Sequence, residues 1–261
     1  MFAVIMILLF FMKGARFRMG KIITFVSGKG GTGKTSMCAA VASCLSAMGD
    51  RVLCIDADVG LRNLDLALGM SDAVAPPFTC VMRGEVAPEE LPGEERLRGL
   101  RLLTAPVGLS AEEIDADAFA AMLARCREEF DWCLIDAPAG IGAGFRLACM
   151  TADEAIVVTG ADAAAMRDGS RAAQLLPEGL PARVLVNRVS RPMYRRMQKT
   201  VDDVMDTVGL PLLGIVPEDI AVPLSAANGI PLVLEQAKGA SAACLRIARR
   251  LKGIKTPLTA R

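Results

Sequence analysis

The chain has 261 residues, 52% of them hydrophobic and 23% charged, with a formal net charge of +1. That size and apolar share suit one α/β domain with a large core, and there is no Pro/Ser/Gly-rich linker, low-complexity run or internal repeat to divide it. No histidine is present, which excludes Ser-His-Asp and Cys-His catalysis and any histidine-ligated metal; eight cysteines, none in a C-x-x-C pair and most inside apolar runs, read as buried thiols of the reducing cytoplasm.

Residues 1–18 are an apolar and basic extension. "FAVIMILLFFM" (2–12) is an unbroken apolar run, and Lys13, Arg16 and Arg18 follow it. A bilayer span needs about 20 residues, so the run is too short to cross. Its charges follow the apolar stretch instead of preceding it, unlike a signal peptide, and it is apolar on every side, unlike a surface helix. Residues 19–254 are expected to form a single domain and 255–261 a short tail. Residues 238–261 carry seven cations and no acid, so the body between the ends is acidic; no nucleic-acid partner is expected.

In chain order, "IITFVS" (22–27) predicts a buried strand, and a Gly-rich loop follows. "KTSMCAAVASCLSAMG" then has helical spacing and stops at Gly49. "RVLCIDAD" is a second strand, ending in Asp56 and Asp58, and "LRLLTA" (100–105) a third. "FDWCLIDAPAG" is a fourth, ending in Asp136. "DEAIVVTG", "ARVLVNR" and "LLGIVPED" complete seven, with helical patterns at 117–130, 142–150, 166–176, 198–208 and 240–252. Strands alternating with helices imply a mostly parallel twisted sheet with helices on both faces, a three-layer α/β/α fold that places ligands at the carboxyl ends of its strands.

The loop "SGKGGTGKT" satisfies G-x-x-x-x-G-K-[ST] with Gly28, Gly33, Lys34 and Thr35, in the strand–loop–helix context a phosphate-binding loop requires. Gly28, Gly30, Gly31 and Gly33 let successive N–H groups face one anion; Lys34 reaches the β- and γ-phosphates, and the Thr35 hydroxyl ligates Mg²⁺. Asp136 stands where a Walker B carboxylate holds Mg²⁺. Asp56 and Asp58, two apart at a strand end, are expected on one face. One would support the metal and the other orient the attacking water, unless one of them merely caps the following loop. Lys29 is a second lysine in the loop, and the motif itself gives it no role.

"SGKGGTGKT", "CIDADVGLRNLDLALGM" and "DWCLIDAPAGIGAGF", together with "AMRDGSR", "VDDVMDTVGLPLLGIVPED" and "SAANGIPLV", resemble the MinD branch of the MinD/ParA family of deviant Walker A ATPases, over about Lys21 to Lys252. The resemblance implies a P-loop NTPase domain that dimerises face to face on ATP, with Mg²⁺, and a role in placing the division site by recruiting a division inhibitor to the membrane. It assigns catalysis to Lys29, Lys34 and Asp58. Nucleotide binding falls to Gly28, Lys29, Gly30, Gly31, Thr32, Gly33, Lys34, Thr35 and Ser36, and metal support to Thr35, Asp56 and Asp136. Lys29 would cross the dimer interface to the partner's phosphates, as a trans-acting positive charge comparable to an arginine finger. Asn187 would read adenine, with Pro217, Glu218 and Asp219 beside the base. Arg167 and Asp168 would contact inhibitor and activator proteins, an ion pair at a helix start being the plain alternative. Leu61–Leu68 would help form the dimer face, with core packing as the competing role.

The family usually ends in an amphipathic membrane-targeting helix. Here "TPLTAR" follows the last body helix, so that anchor is expected to be absent and membrane cycling by that route is in doubt. The expected location is cytoplasmic, with peripheral contact at the inner membrane face. "MGKIITFVSGKGG" begins as family members begin, which marks Met19 as the start; the alternative is that 2–12 takes the anchor's place. Three other functions share the loop. A ParA-type partition ATPase would need a basic DNA-binding face. A nitrogenase-type iron protein would hold a cluster, for which Cys133 and Cys149 are the candidates. An ATP-dependent amidotransferase or synthetase would need a substrate domain.

Overall fold

A computed structural model describes residues 19–59, 62–190 and 201–258. Continuous β-branched and apolar runs become strands buried on both faces, as parallel strands between helical layers must be. In chain order the strands are β1 (Lys21–Val26), β2 (Val52–Asp56), β3 (Gly93–Glu94), β4 (Leu97–Leu103), β5 (Trp132–Asp136), β6 (Glu154–Thr159), β7 (Ala182–Val189) and β8 (Leu212–Pro217). The described α-helices are α1 (Lys34–Ala47), α2 (Leu64–Leu68), α3 (Phe78–Met82), α4 (Ala116–Glu129), α5 (Ala143–Met150), α6 (Ala163–Gln174), α7 (Val201–Val208), α8 (Ala221–Ala227), α9 (Leu232–Glu235) and α10 (Gly239–Leu251).

The sheet order is β3-β4-β2-β5-β1-β6-β7-β8. Among the described strands, only the β3–β4 pair is antiparallel; the other pairs are parallel. The chain steps from β1 to β2 on one side and from β5 to β6 on the other, so β1 lies at the reversal of strand order, where an open α/β sheet leaves a crevice at its carboxyl edge. On one face α1 packs against α10 and α2, and 11 of its 14 residues are buried. Its run of small residues, Ala39, Ala40 and Ala42, lets it lie close to the sheet. The opposite face carries α4 and α5, where Phe119 meets Phe78 of α3 edge-on at 5.4 Å between ring centres. A smaller cluster joins Met166 of α6 to Val184, Val186, Val204 and Val208.

The seven expected strands are present, and the structure adds β3, a two-residue edge strand with too little pattern to read. The expected helix at 166–176 begins three residues earlier, because the Asp162 carboxylate accepts the Ala165 N–H and caps α6. The expected helix at 198–208 is α7 from Val201 onward, and its first three residues lie outside the described residues, as do residues 1–18.

Candidate functional site

The loop between β1 and α1 turns through two glycines in the left-handed region, Gly31 (φ 83°) and Gly33 (φ 82°). Gly33 is the N-cap of α1 and supplies no side-chain acceptor, so the positive end of a 14-residue helix opens on the crevice. The Lys34 ammonium donates to Asp136 Oδ1 at 2.5 Å, and the Thr35 hydroxyl donates to Asp136 Oδ2 at 2.6 Å. Asp136 ends β5 in register with Asp56 of β2 and Phe25 of β1, so three adjacent strands fix the position of this carboxylate. The motif's lysine and threonine and the strand-end acid, placed together by spacing alone, are thus in direct contact.

Lys34 is 6% exposed and Asp136 1%. Burial raises the Asp136 carboxyl above its ordinary range, against the opposing pull of Lys34 and Thr35. Burial also pushes Asp56 up to about 6, with the neighbouring Asp136 adding to the rise and backbone N–H donors opposing it. Asp58 is raised too, by burial, with Lys34 pulling the other way. One lysine therefore faces a surplus of carboxylate in a site screened from water. Two carboxylates and a hydroxyl, all hard oxygen donors, fit Mg²⁺, which takes one or two carboxylates and draws its other ligands from phosphates and water. Among the described residues, no group of three or more His, Cys, Asp or Glu could hold a metal ion.

Asp56 and Asp58 do not share a face by strand alternation, because β2 ends at Asp56. Asp58 lies in the loop, and its N–H donates to Asp56 Oδ1. Asp56 Oδ2 accepts from the N–H groups of Asn63 and Leu64 at the start of α2. Asp56 thus ties down the following loop, the plain role foreseen for one of the pair, while its carboxylate stays beside Asp136.

Two cavities flank the loop. One of about 270 Å³ is lined by Lys29, Gly30, Gly31 and Thr32, by Gly160–Asp162 and by Asn187 and Arg188. The other, about 550 Å³, is lined by Gly33, Ser36, Asn187, Arg188 and Pro217–Ile220. Asn187, Pro217, Glu218, Asp219 and Ser36, which the resemblance assigned to nucleotide binding, thus line one space. Asn187, 4% exposed, donates its amide to the Thr32 carbonyl at 2.9 Å. The Asp219 carboxylate accepts from the Ala221 and Ala240 N–H groups and the Gln236 amide, which binds this loop to the start of α10. Sequence reasoning missed Arg188, which lines both cavities and donates to the Gly31 carbonyl at 3.2 Å.

Lys29 lies apart from Asp136. Its side chain is 43% exposed and sits 3.3 Å from Asp168 of α6. Asp168 therefore pairs with the loop lysine, and the Arg167–Asp168 ion pair weighed from sequence is not the contact it makes. Arg167 lines a surface groove with Met166, Ser170 and Arg171. In the 61–68 stretch, Leu64 and Leu68 are 0% exposed and belong to the core, while Leu66 is 47% exposed; Leu61 lies outside the described residues. Cys133 and Cys149, the candidates for a shared cluster, are buried at 0% and 1%, and burial pushes the Cys149 thiol up to about 12. Neither reaches a surface where a second copy could share it. Among the described residues, no helix is long and apolar enough to cross a membrane.

Residues 23–232 match the model of the CobQ/CobB/MinD/ParA nucleotide binding domain. The septum site-determining protein MinD of Synechocystis sp. is 38% identical over 244 residues, 92% of each chain. The MinC:MinD cell division protein complex of Aquifex aeolicus holds a chain that superposes with a TM-score of 0.84 at 34% identity, covering 92% of this chain and 99% of that one. MinD of Pyrococcus horikoshii, complexed with Mg-ADP, gives 0.77 at 28% identity, covering 89% of this chain and 96% of that one. Matched in sequence and in fold over most of its length, this chain belongs to the CobQ/CobB/MinD/ParA nucleotide-binding family, in its MinD branch.

Proposed function

We propose that this chain is an ATP-dependent dimerising switch that helps to place the division septum, hydrolysing ATP to ADP and phosphate in residues 19–254, with 255–261 as a tail. The observation that carries the reading is the division of labour within one loop: Lys34 and Thr35 meet on buried Asp136, while Lys29 stands at the surface. A nucleotide needs the first group in its own chain; the second is free to serve another.

The open N-terminus of α1 and the loop N–H groups receive the phosphates. Lys34 exchanges Asp136 for β- and γ-phosphate oxygens. Thr35, Asp136 and Asp56 are the residues that would hold Mg²⁺, which when bound neutralises charge on those oxygens. Asp58, in the loop beyond β2, would orient the attacking water. Asn187, Pro217 and Glu218 border the base. Lys29 must leave Asp168 to reach a partner's phosphates, so ATP binding and pairing of two copies become one coupled event. The Asp168 carboxylate and the Arg167 groove on α6 are then exposed to a division-inhibitor or activator protein, in keeping with the MinC complex of the Aquifex relative. The protein works in the cytoplasm, with peripheral contact at the inner face of the membrane.

Light-scattering mass with Mg-ADP and with a Mg-bound non-hydrolysable ATP analogue tests this reading. A monomer with ADP and a dimer with the analogue is expected, with Lys29→Ala staying monomeric in both; a parent chain of unchanged mass would sink the switch.

A further inference from the structure

Between β7 and β8 the register slips. Val186 pairs with Ile215 and Val189 with Pro217, so β7 spends three steps where β8 spends two, and the extra residue falls within Asn187–Arg188. Arg188 is the only non-glycine residue among those described with positive φ, at 56°. An arginine adopts that left-handed conformation under strain, and such outliers and bulges gather where a side chain must be re-aimed at a site.

What is re-aimed here is plain from the contacts. On a regular strand, neighbouring side chains point to opposite faces. Here Asn187 and Arg188 reach the same loop and hold adjacent carbonyls. The Asn187 amide donates to the Thr32 oxygen at 2.9 Å and the Arg188 guanidinium to the Gly31 oxygen at 3.2 Å. In a trans peptide the C=O and the following N–H point in opposite directions. Pinning the Gly31 and Thr32 carbonyls therefore turns the N–H groups of Thr32 and Gly33 the other way, toward the anion site. The fit is tight: a Cβ on Gly33 would lie 2.4 Å from the Asn187 amide nitrogen. The second guanidinium nitrogen lies 4.0 Å from Glu218, so the base-side loop braces the same arginine.

We propose that Arg188 is a positioning residue that, from its strained bulge, clamps the phosphate loop in its anion-binding conformation before nucleotide arrives. The inference rests on residues 28–35 being a phosphate loop. A charge-assisted bond to a carbonyl is the contribution at stake, roughly ten-fold in the population of the competent loop. Preorganisation of this kind aids ground and transition states alike, so it acts on KM and leaves kcat alone.

The test uses Arg188→Asn and Arg188→Gly, since both residues accept positive φ without the clamp. Amide hydrogen exchange of residues 28–36 in nucleotide-free protein should quicken about ten-fold in both variants, and KM for ATP should rise five- to ten-fold with kcat within two-fold. Melting temperature should hold or rise slightly. Raised KM with unchanged loop exchange would mean that Arg188 touches the nucleotide itself, and the clamp would be wrong. Unchanged KM and exchange would reduce the side chain to surface charge, also against the proposal, as would a fall in kcat and melting temperature together. A parent chain that neither binds nor hydrolyses ATP would overturn the phosphate-loop reading instead, while the exchange experiment would still decide the clamp.

Discussion

Removing the Lys34 ammonium should make folding stability depend on pH through Asp136. The pair is buried, 6% and 1% exposed, with 2.5 Å between nitrogen and oxygen. Taking one partner from such a pair leaves an uncompensated charge and costs about 3–5 kcal/mol. Two variants separate charge from packing: Lys34→Met keeps most of the buried stem, whereas Lys34→Ala also removes three methylenes, about 2 kcal/mol more. With a urea m-value of about 3 kcal/mol per M for a chain of this size, the Met variant's midpoint should fall by about 1 M near pH 8, and the Ala variant's further. Asp136 can escape by protonation. Burial already raises its carboxyl, and without Lys34 nothing but Thr35 and its surroundings pulls it down. A carboxyl with a raised folded pKa contributes stability that is fully present below its unfolded value of about 4 and is lost as pH rises through the folded value. The deficit of the variants should therefore be small near pH 5 and grow toward pH 8. Adding Asp136→Asn to Lys34→Met should recover most of it, since the amide still accepts from Thr35 and carries no charge. Urea titrations at four pH values decide the matter. A deficit that does not change with pH, or a double variant no more stable than the single, would refute the reasoning.

Three further outcomes are expected. A Cβ on Gly28 would sit 2.0 Å from the Asp168 carbonyl oxygen, whereas one on Gly30 meets nothing nearer than 3.9 Å. Gly28→Ala should thus lower the melting temperature by about 4–8 °C, from roughly 2 kcal/mol of overpacking, while Gly30→Ala stays within about 2 °C and still weakens ATP binding, by calorimetry. Asp58→Ala should give a persistent ATP dimer with little turnover; a monomer that cannot bind ATP would exchange the roles of Asp56 and Asp58. With Asp56 near 6, Mg-nucleotide affinity should be level above pH 7 and fall below pH 6 as the carboxylate protonates, and Asp56→Asn should remove that dependence. The same shift makes the nucleotide-free parent lose about 3 kcal/mol of stability as pH rises from 4 toward 6, which urea titration reads directly.

What the sequence made legible follows from what sequence patterns encode. A phosphate loop is a spacing rule on top of a strand and a helix, so Lys34, Thr35 and Asp136 could be placed without coordinates. Buried parallel strands are apolar runs, so seven of eight were readable, and β3 was too short to carry a period. Helix α6 was read late because Ala163–Ala165 shows no apolar contrast, although Asp162 was an available N-cap signal. The expectation that Asp56 and Asp58 share a face applied strand alternation one residue past the strand. Arg188 left no trace, because nothing in its side chain announces a positive φ. Only the register slip against β8 does so, and that is a long-range fact.

If the proposed function holds, the charges in the crevice would make these residues a switch as well as a binding site. In the nucleotide-free chain each lysine of the loop already has an anion: Lys34 holds Asp136 and Lys29 holds Asp168. On the proposed reading both bonds would be exchanged for phosphate, but under different conditions. Lys34 exchanges in the dark of the core, where Asp136 would be left exposed to its own burial cost unless a dication takes the ammonium's place; phosphate and metal therefore have to arrive together. On the proposed reading Lys29 would exchange at the surface, where its bond to Asp168 is screened and weak, and the phosphate it gained would belong to another copy. The buried exchange would then make the site demand Mg-nucleotide, and the exposed one would set how readily two loaded copies join. Gly28 links the two: it packs against the backbone of Asp168 with no room for a side chain, so α6 cannot shift without moving the loop. A partner protein that gripped α6 at Arg167 and Asp168, as proposed, would thereby gain a handle on Lys29 and, through Gly28, on the phosphate loop.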